Sequence, residues 1–204
     1  MKQTLNQAII DDFRKLSTHE SLIFNNQFKT EDVSIFFNKK SHKKYVFTKT
    51  QATINNPYNR WDSKFIHCGK TNRLTVIDVD YAETEPCKIL LPMLFEEASI
   101  VVATRKGYHF YFFYNEKLKS RTGGSNGFDI LSDNKNVISP SSSYYDEDDN
   151  LFTYEAYVAI QYGNDILNFV RMSDELTDLI LHFEKQTTTS REPEIDTNQL
   201  KRYS

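Results

Sequence analysis

The middle of the chain alternates short apolar runs with polar turns, and this pattern predicts β-strands. Residues 74–80 form an apolar, β-branched run that ends in two acids, Asp78 and Asp80. Such a run is typical of a buried strand with polar groups at its end. By the same criteria, further strands are predicted at Val33–Phe37, Tyr45–Phe47, Ile100–Ala103, Tyr108–Tyr114 and Phe152–Ile160.

Polar turns between the apolar runs predict two hairpins. Residues 104–107 join the strands at 100–103 and 108–114, and Gly107 can supply a positive φ in that turn. Residues 132–135 supply the turn residues of a second hairpin, formed by Phe128–Leu131 and Asn136–Ser139. An acidic loop is predicted at Asp146–Asp149.

Apolar residues at helical spacing predict three helices, at Leu5–Leu16, Pro86–Ala98 and Ser173–Phe183. Ser173 is a suitable N-cap for the last of these. The mixture of strands and helices predicts an α+β fold with a mainly antiparallel sheet and flanking helices. We interpret residues 1–185 as one domain and residues 186–204, which are polar, as a tail or linker.

The composition is that of a globular protein. The chain has 204 residues, of which 39% are hydrophobic and 26% charged, and this excludes wholesale disorder. No apolar run approaches the roughly 20 residues of a membrane helix, and the N-terminus lacks an apolar signal core, so we expect a protein that is neither membrane-bound nor secreted. The net charge of -3 does not indicate nucleic-acid binding, although local basic patches still allow it.

Asp78 and Asp80 are the first candidate site residues. They are two positions apart on a predicted strand, so their carboxylates project from the same face. Two acids at the end of an apolar strand repel each other and are costly to desolvate, and a divalent cation removes both problems. Oxygen ligands suit Mg²⁺ or Mn²⁺. The alternative is a pair of solvated acids just beyond a strand end.

Asp129 and His109 extend this candidate site. Asp129 lies between two apolar residues on a predicted strand, so it is either on an exposed strand face or a placed ligand. Three converging acids could hold two metal ions. His109 follows a basic turn and could contact phosphate, and so could Arg105 and Lys106 in that turn. The alternatives are a structural, hydrogen-bonded role for His109 and a solvated hairpin tip for Arg105 and Lys106.

The order of these motifs resembles a known family. Asp78-Val79-Asp80 is followed by Gly107-Tyr108-His109, then by Phe128-Asp129 and by Ser139-Pro140-Ser141-Ser142. In this order the chain resembles the archaeo-eukaryotic primase superfamily, and most of all its primase–polymerase (Prim-Pol) branch from plasmids, phages and large DNA viruses. The resemblance covers residues 60–145. Lys106 departs from it, because the branch often has a second glycine there.

The resemblance implies an RRM-like catalytic core within residues 1–185 and a DNA primase or polymerase activity in replication initiation. It implies that Asp78, Asp80 and Asp129 bind Mg²⁺ or Mn²⁺ and that His109 holds a nucleoside triphosphate. Arg105, Lys106 and Lys70 are further candidates for phosphate contacts. Other implied features are a single-stranded DNA template, a helicase domain or subunit beyond the linker, and a cytoplasmic or host-cell site of plasmid or viral replication.

Other functions remain open at this point. A glycosyltransferase would use Asp78 and Asp80 in an Asp-x-Asp motif with Mn²⁺, but that class does not account for His109 and Asp129. A Toprim enzyme needs an upstream acid on another strand, and residues 22–26 and 46–53 offer none. A rolling-circle nickase needs a His-x-His motif, which the chain lacks. Another possibility is a non-catalytic module of the same fold that binds single-stranded nucleic acid. The basic cluster of Lys39, Lys40, Lys43 and Lys44, with Tyr45 and Phe47 to stack on bases, is a candidate for template binding, and the alternative is a solvated hairpin tip.

Overall fold

Three antiparallel sheets organise the residues that the computed structural model describes, which are 11–49, 61–163, 166 and 169–189. In these ranges the helices are α1 (Thr18–Asn26), α2 (Glu85–Glu97) and α3 (Asp174–Thr189). The strands are β1 (Phe13–Lys15), β2 (Thr30–Asn38), β3 (Lys43–Thr48), β4 (Ser63–His67), β5 (Leu74–Val79), β6 (Ile100–Ala103), β7 (Tyr108–Phe113), β8 (Phe128–Leu131), β9 (Asn136–Ile138), β10 (Ser143–Tyr145), β11 (Leu151–Thr153) and β12 (Glu155–Ala159).

The largest sheet has six strands in the order β1-β12-β6-β7-β5-β8. A second sheet has the order β3-β2-β4-β9, and β10 and β11 form a two-stranded ribbon. All of these strand pairs are antiparallel. The predicted α+β class, with mainly antiparallel sheets and helices, is therefore confirmed.

Strand β5 separates two hydrophobic cores because its side chains alternate between the faces of the six-stranded sheet. Leu74 and Val76 enter a first core, which they share with Ile35 of β2 and with residues of α1. Ile77 and Val79 enter a second core, which α2 and α3 cover. The alternation places Asp78 on the face that looks toward β2 and β3, at the end of the row that begins with Leu74 and Val76.

The N-terminal prediction was wrong where the structure describes it. A helix was predicted over Leu5–Leu16, but Phe13–Lys15 form strand β1, which pairs with β12. Residues 1–10 lie outside the described part. The helix instead begins after Ser17, whose side chain accepts from the Glu20 backbone N–H while the Glu20 carboxylate accepts from the Ser17 N–H. This Ser-x-x-Glu capping box was the sequence signal for α1.

The predicted second hairpin was also wrong. Strands form at both positions, but β8 pairs with β5 in the six-stranded sheet and β9 pairs with β4 in the other. Ser132–Lys135 thus connects two sheets. The pairing follows from burial, because Ile130 and Val137 belong to different hydrophobic cores and cannot share one hairpin face.

The remaining predicted elements fall close to the observed ones. The strand predicted at Phe152–Ile160 is divided into β11 and β12, and the acidic loop forms the turn between β10 and β11. Ser173 caps α3, since its hydroxyl accepts from the Leu176 N–H at 3.1 Å. That helix continues through Thr189, and residues 190–204 lie outside the described part. No helix in the described ranges is long and apolar enough to cross a membrane.

Candidate active site

The register of three neighbouring strands brings the predicted site residues together. Strand β5 lies between β7 and β8, and Asp78 is directly opposite His109 on one side and Asp129 on the other. Residues directly opposite each other in antiparallel strands share a face, with Cβ atoms about 4.5–5.5 Å apart. Asp80 lies just beyond the end of β5, two residues on from Asp78. The side chains of Asp78, His109 and Asp129 therefore project from one face of the sheet.

Asp78 is held in an environment that disfavours its charge. Burial, followed by the neighbouring charges of Asp80 and Asp129, raises the pKa of Asp78 to about 8. Its side chain is 20% exposed, and its Oδ1 atom is buried without a hydrogen-bond partner among the described residues. A carboxylate with an unsatisfied buried oxygen beside two other acids is the arrangement that a bound cation would relieve.

His109 lies beside Asp78 on the floor of the site. Its Nε2 atom is 3.5 Å from Asp78 Oδ1, and its ring stacks on Tyr154 with centroids 5.9 Å apart. Burial, together with the nearby charge of Lys44, lowers the pKa of His109 to about 3, so the imidazole is neutral at physiological pH. Nδ1 is buried without a hydrogen-bond partner in the part of the chain described.

Asp129 is anchored by a glycine-containing loop. Its Oδ1 accepts a hydrogen bond of 2.8 Å from the Gly123 N–H. Burial raises the pKa of Asp129, and the charge of Asp80 adds to this effect. The backbone of Gly127 orders the end of β5, because its carbonyl accepts from the N–H groups of Asp80 and Tyr81 at 3.0 and 3.1 Å. The loop before β8 thus sets the positions of two of the three acids.

Gly107 is required by a close approach and not by its φ angle. We expected a positive φ at this position, but Gly107 is not among the described residues with positive φ. A Cβ atom here would lie 1.8 Å from the carbonyl oxygen of Val79. The absence of a side chain therefore lets the β6–β7 turn lie against the end of β5, next to Asp80.

Replacing Gly107 with alanine is expected to destabilise the fold by about 1–3 kcal/mol, because the new methyl group meets backbone that has little freedom to move. Urea unfolding would measure the change. Gly124→Ala is the matched control: its Cβ would have no atom within 4 Å, and we expect a change within about 0.5 kcal/mol. Equal losses in the two variants would contradict this account of Gly107.

A cavity of about 350 Å³ opens between the two larger sheets at this point. Asp78, Asp80 and His109 form one wall, and the cations Lys43, Lys44, Arg105 and Lys106 form much of the rest, together with aromatic rings of Phe37, Tyr144 and Tyr154. Carboxylates and cations lining one small cavity suit a ligand that carries both a metal ion and several negative charges.

The other candidate cations have different surroundings. Arg105 forms an ion pair of 2.7 Å with Glu147 of the acidic turn and lies over the Phe37 ring. Lys106 lies over the ring of Tyr81, 5.3 Å from its centroid. Lys70 is not brought to the site, because it precedes β5 and therefore lies at the opposite end of that strand from Asp78. There its backbone N–H donates to Asp133.

Lys44, Tyr144 and Tyr154 were not predicted as site residues. Lys44 was assigned to a basic cluster for template binding, and no local signal distinguished it from the adjacent Lys43. Only the pairing of β3 with β2 shows that Lys44 shares a face with Phe37 and points into the cavity.

The described residues include no group of three or more His, Cys, Asp or Glu side chains that is arranged to hold a metal ion as it stands. The donor set nevertheless fits a hard divalent cation, since all three acids supply oxygen ligands and Asp78 has a buried oxygen without a partner. Asp129 would have to leave its bond to Gly123, or use its second oxygen, to join the other two.

No protein-family model matches the chain, and a search of curated proteins finds no match.

Proposed function

We propose that this protein is a metal-dependent DNA primase or polymerase of the Prim-Pol type, with an RRM-like core formed around β5, β7 and β8. The observation that carries the proposal is the register that puts Asp78 between His109 and Asp129, together with the cation-lined cavity that Asp78 and His109 help to form. Acids on one face, with cations across the cavity, suit transfer of a nucleotide from a triphosphate.

In the proposed reaction a 3′-hydroxyl attacks the α-phosphorus of a nucleoside triphosphate, pyrophosphate leaves, and the hydroxyl proton passes to solvent. Asp78, Asp80 and Asp129 would hold Mg²⁺ or Mn²⁺, which would supply charge neutralisation and lower the pKa of the attacking hydroxyl. Asp78 must lose its proton before it can act as a ligand, and its raised pKa makes this loss dependent on pH. His109 is neutral and contributes a directed hydrogen bond rather than a charge.

The phosphates of the substrate would lie toward the β6–β7 turn, where Arg105 and Lys106 offset their negative charge. Arg105 presents several N–H donors, and one of its terminal nitrogens is bonded to Glu147. Glu147 therefore occupies a donor that a phosphate oxygen would use.

The turn between β10 and β11 provides a test of this role of Arg105. Glu147→Gln is expected to raise the affinity for Mg²⁺–nucleoside triphosphate about two- to fivefold, because a partly exposed ion pair that competes with phosphate is removed. Isothermal titration calorimetry would measure the change. Asp148→Asn is the control, since it removes the same charge from an exposed position of the same turn. A matching increase in both variants would indicate a general effect of charge and not a competition for Arg105.

A second candidate function is single-stranded nucleic-acid binding without catalysis. Phe36, Tyr45 and Phe47 stack nearly parallel on one face of the β2–β3 hairpin, with neighbouring centroids 5.4–6.4 Å apart. These residues lie on the opposite face from Lys44. Aromatic rings beside exposed lysines, here Lys40 and Lys43, are typical of surfaces on which bases stack. The same surface would serve a polymerase as a template contact.

Nucleotide incorporation on single-stranded DNA, with and without a primer and with Mg²⁺ or Mn²⁺, tests the proposal. Product that requires the metal would support a polymerase, and product formed without a primer would support a primase. If the protein binds DNA with or without metal and yields no product under any of these conditions, the non-catalytic module is favoured instead.

A further inference from the structure

Lys44 reaches the cavity from a different sheet than the acids. Lys44 lies on β3, opposite Phe37 of β2. Both residues line the cavity between this sheet and the six-stranded sheet. Its Nζ donates to the Tyr154 hydroxyl at 2.7 Å and lies 5.7 and 5.4 Å from the ring centroids of Tyr144 and Tyr154. The residue as a whole is exposed, and its ammonium group lies beside both rings.

The ammonium group of Lys44 contacts aromatic rings and a hydroxyl instead of an acid. Several other lysines in the described part form ion pairs, as at Lys39–Asp149, Lys64–Asp32 and Lys117–Asp174. The only hydrogen bond of the Lys44 ammonium within that part is to a neutral hydroxyl, so two of its three N–H donors have no protein acceptor there. Burial lowers the pKa of Lys44, although the charges of Asp78 and Asp80 partly offset this.

An ammonium group at the wall of a cavity, with two N–H donors that have no protein acceptor among the described residues, is suited to bind a ligand there. The ligand must be anionic, and it must fit a cavity that also contains Asp78 and Asp80. A polyphosphate with a bound divalent cation meets both conditions. The acids would coordinate the metal, and the remaining phosphate oxygens would accept hydrogen bonds from Lys44. A nucleic-acid backbone is less suited, since 350 Å³ is near the lower limit of small-molecule pockets.

We propose that Lys44 binds the terminal phosphates of the substrate triphosphate, positioned by the Tyr154 hydroxyl and the Tyr144 ring. This proposal rests on the proposed function, and it adds a substrate contact from the second sheet. The triphosphate then bridges the two sheets, with Asp78 and Asp80 on one side and Lys44 on the other. Tyr154 is a positioning residue, and it links Lys44 to His109, on whose ring it stacks.

Binding of inorganic tripolyphosphate with Mg²⁺, measured by calorimetry, tests this role without turnover. Lys44→Met is expected to weaken tripolyphosphate binding about 10- to 100-fold, the range for losing a charge-assisted hydrogen bond. Binding of a nucleoside monophosphate with Mg²⁺ should change less than about threefold, because it lacks the terminal phosphates. Lys29→Met removes the same charge from an exposed position outside the cavity lining, and should leave both affinities unchanged.

Two further variants keep the test decisive if Lys44→Met folds poorly. Lys44→Arg retains the charge and should retain part of the tripolyphosphate binding. Tyr154→Phe removes only the hydroxyl, and in the incorporation assay it should raise KM for the nucleotide severalfold with little change in kcat. A merely structural role for Tyr154 would lower thermal stability without this division between KM and kcat.

The possible results separate this inference from the proposed function. If the unaltered protein binds tripolyphosphate and Lys44→Met binds it equally well, the role of Lys44 is overturned while the proposed function stands. If Lys44→Met weakens binding of single-stranded DNA as much as binding of tripolyphosphate, Lys44 is a template contact and the inference is also overturned. If the unaltered protein binds no tripolyphosphate in the presence of Mg²⁺, the role of Lys44 is overturned, and the incorporation assay decides separately whether the proposed function stands.

Discussion

Replacing Asp78 and Asp80 together with asparagine is expected to reduce nucleotide incorporation about a thousandfold or more. Asparagine preserves the shape of each side chain but removes the negative charges that would hold the metal. The charge stabilisation supplied by a bound metal is worth several kcal/mol, and about 1.4 kcal/mol corresponds to a factor of ten in rate. Single-turnover incorporation on a primed template would measure the loss.

Two controls separate this effect from misfolding. Asp174→Asn removes a carboxylate that is 88% exposed and paired with Lys117 at the start of α3, and should leave incorporation unchanged. Affinity for single-stranded DNA should survive in the double variant, because template contacts are expected on the β2–β3 hairpin. Full incorporation by the double variant would exclude these acids from catalysis and overturn the proposed active site.

The Asp78 carboxyl group that is expected to be needed for activity is also expected to destabilise the metal-free fold. In the metal-free protein, Asp78→Asn is expected to raise the free energy of unfolding at pH 8 by a few kcal/mol. The pKa of Asp78 is about 8 in the folded protein, whereas its usual value is 3.8. Between these values the unfolded chain gives up the proton and the folded chain keeps it, so the contribution of Asp78 to stability is lost as the pH rises.

Urea unfolding at several pH values would measure this effect as a difference between the variant and the unaltered protein. The difference is needed because His109 acts in the opposite sense: its pKa of about 3 makes the fold less stable as the pH falls below about 6.5. We expect the advantage of Asp78→Asn to be near zero at pH 4, to grow up to pH 8 and to shrink when Mg²⁺ is present. An advantage that does not vary with pH would contradict the raised pKa.

Asp32 offers a control of opposite sign. Its carboxylate bonds to Lys49 and Lys64, and these hydrogen bonds lower its pKa. Asp32→Asn should therefore reduce stability at neutral pH, and the reduction should disappear as the pH falls through the folded pKa. Asp78 and Asp32 are both aspartates on strands. The charges beside Asp78 include two other acids, whereas those beside Asp32 are two lysines. The pair thus separates the effect of environment from the effect of residue type.

Much of the core strand arrangement could be predicted because it depends on local pattern. The apolar run at 74–80 predicted β5, and the strands at 100–103 and 108–113 were correctly joined as a hairpin by a short polar turn. The same reasoning failed for β8 and β9, whose turn residues suit a hairpin although their apolar side chains enter different cores. Turn composition is a local property, whereas the choice of a strand partner depends on which buried surface the strand completes.

For the candidate site too, local pattern predicted some features, and strand pairing in the folded sheet decided the others. The alternation of side chains along β5 determined that Asp78 and Asp80 share a face, and the order of motifs identified His109 and Asp129 as candidates. The register with β7 and β8 was decided only in the folded sheet, where strands distant in sequence pair to bury Ile77 and Ile130.

By itself, the sequence determined the class of fold, the main strand at 74–79 and the acids at its end, because these depend on periodicity and residue type over a few positions. Only the tertiary structure decided that Lys44 faces the acids while Lys70 lies away from them, and that Gly107 is needed for close contact with Val79. The physical reason is that these relations depend on how distant strands pack, and packing is set by the burial of the whole set of apolar side chains.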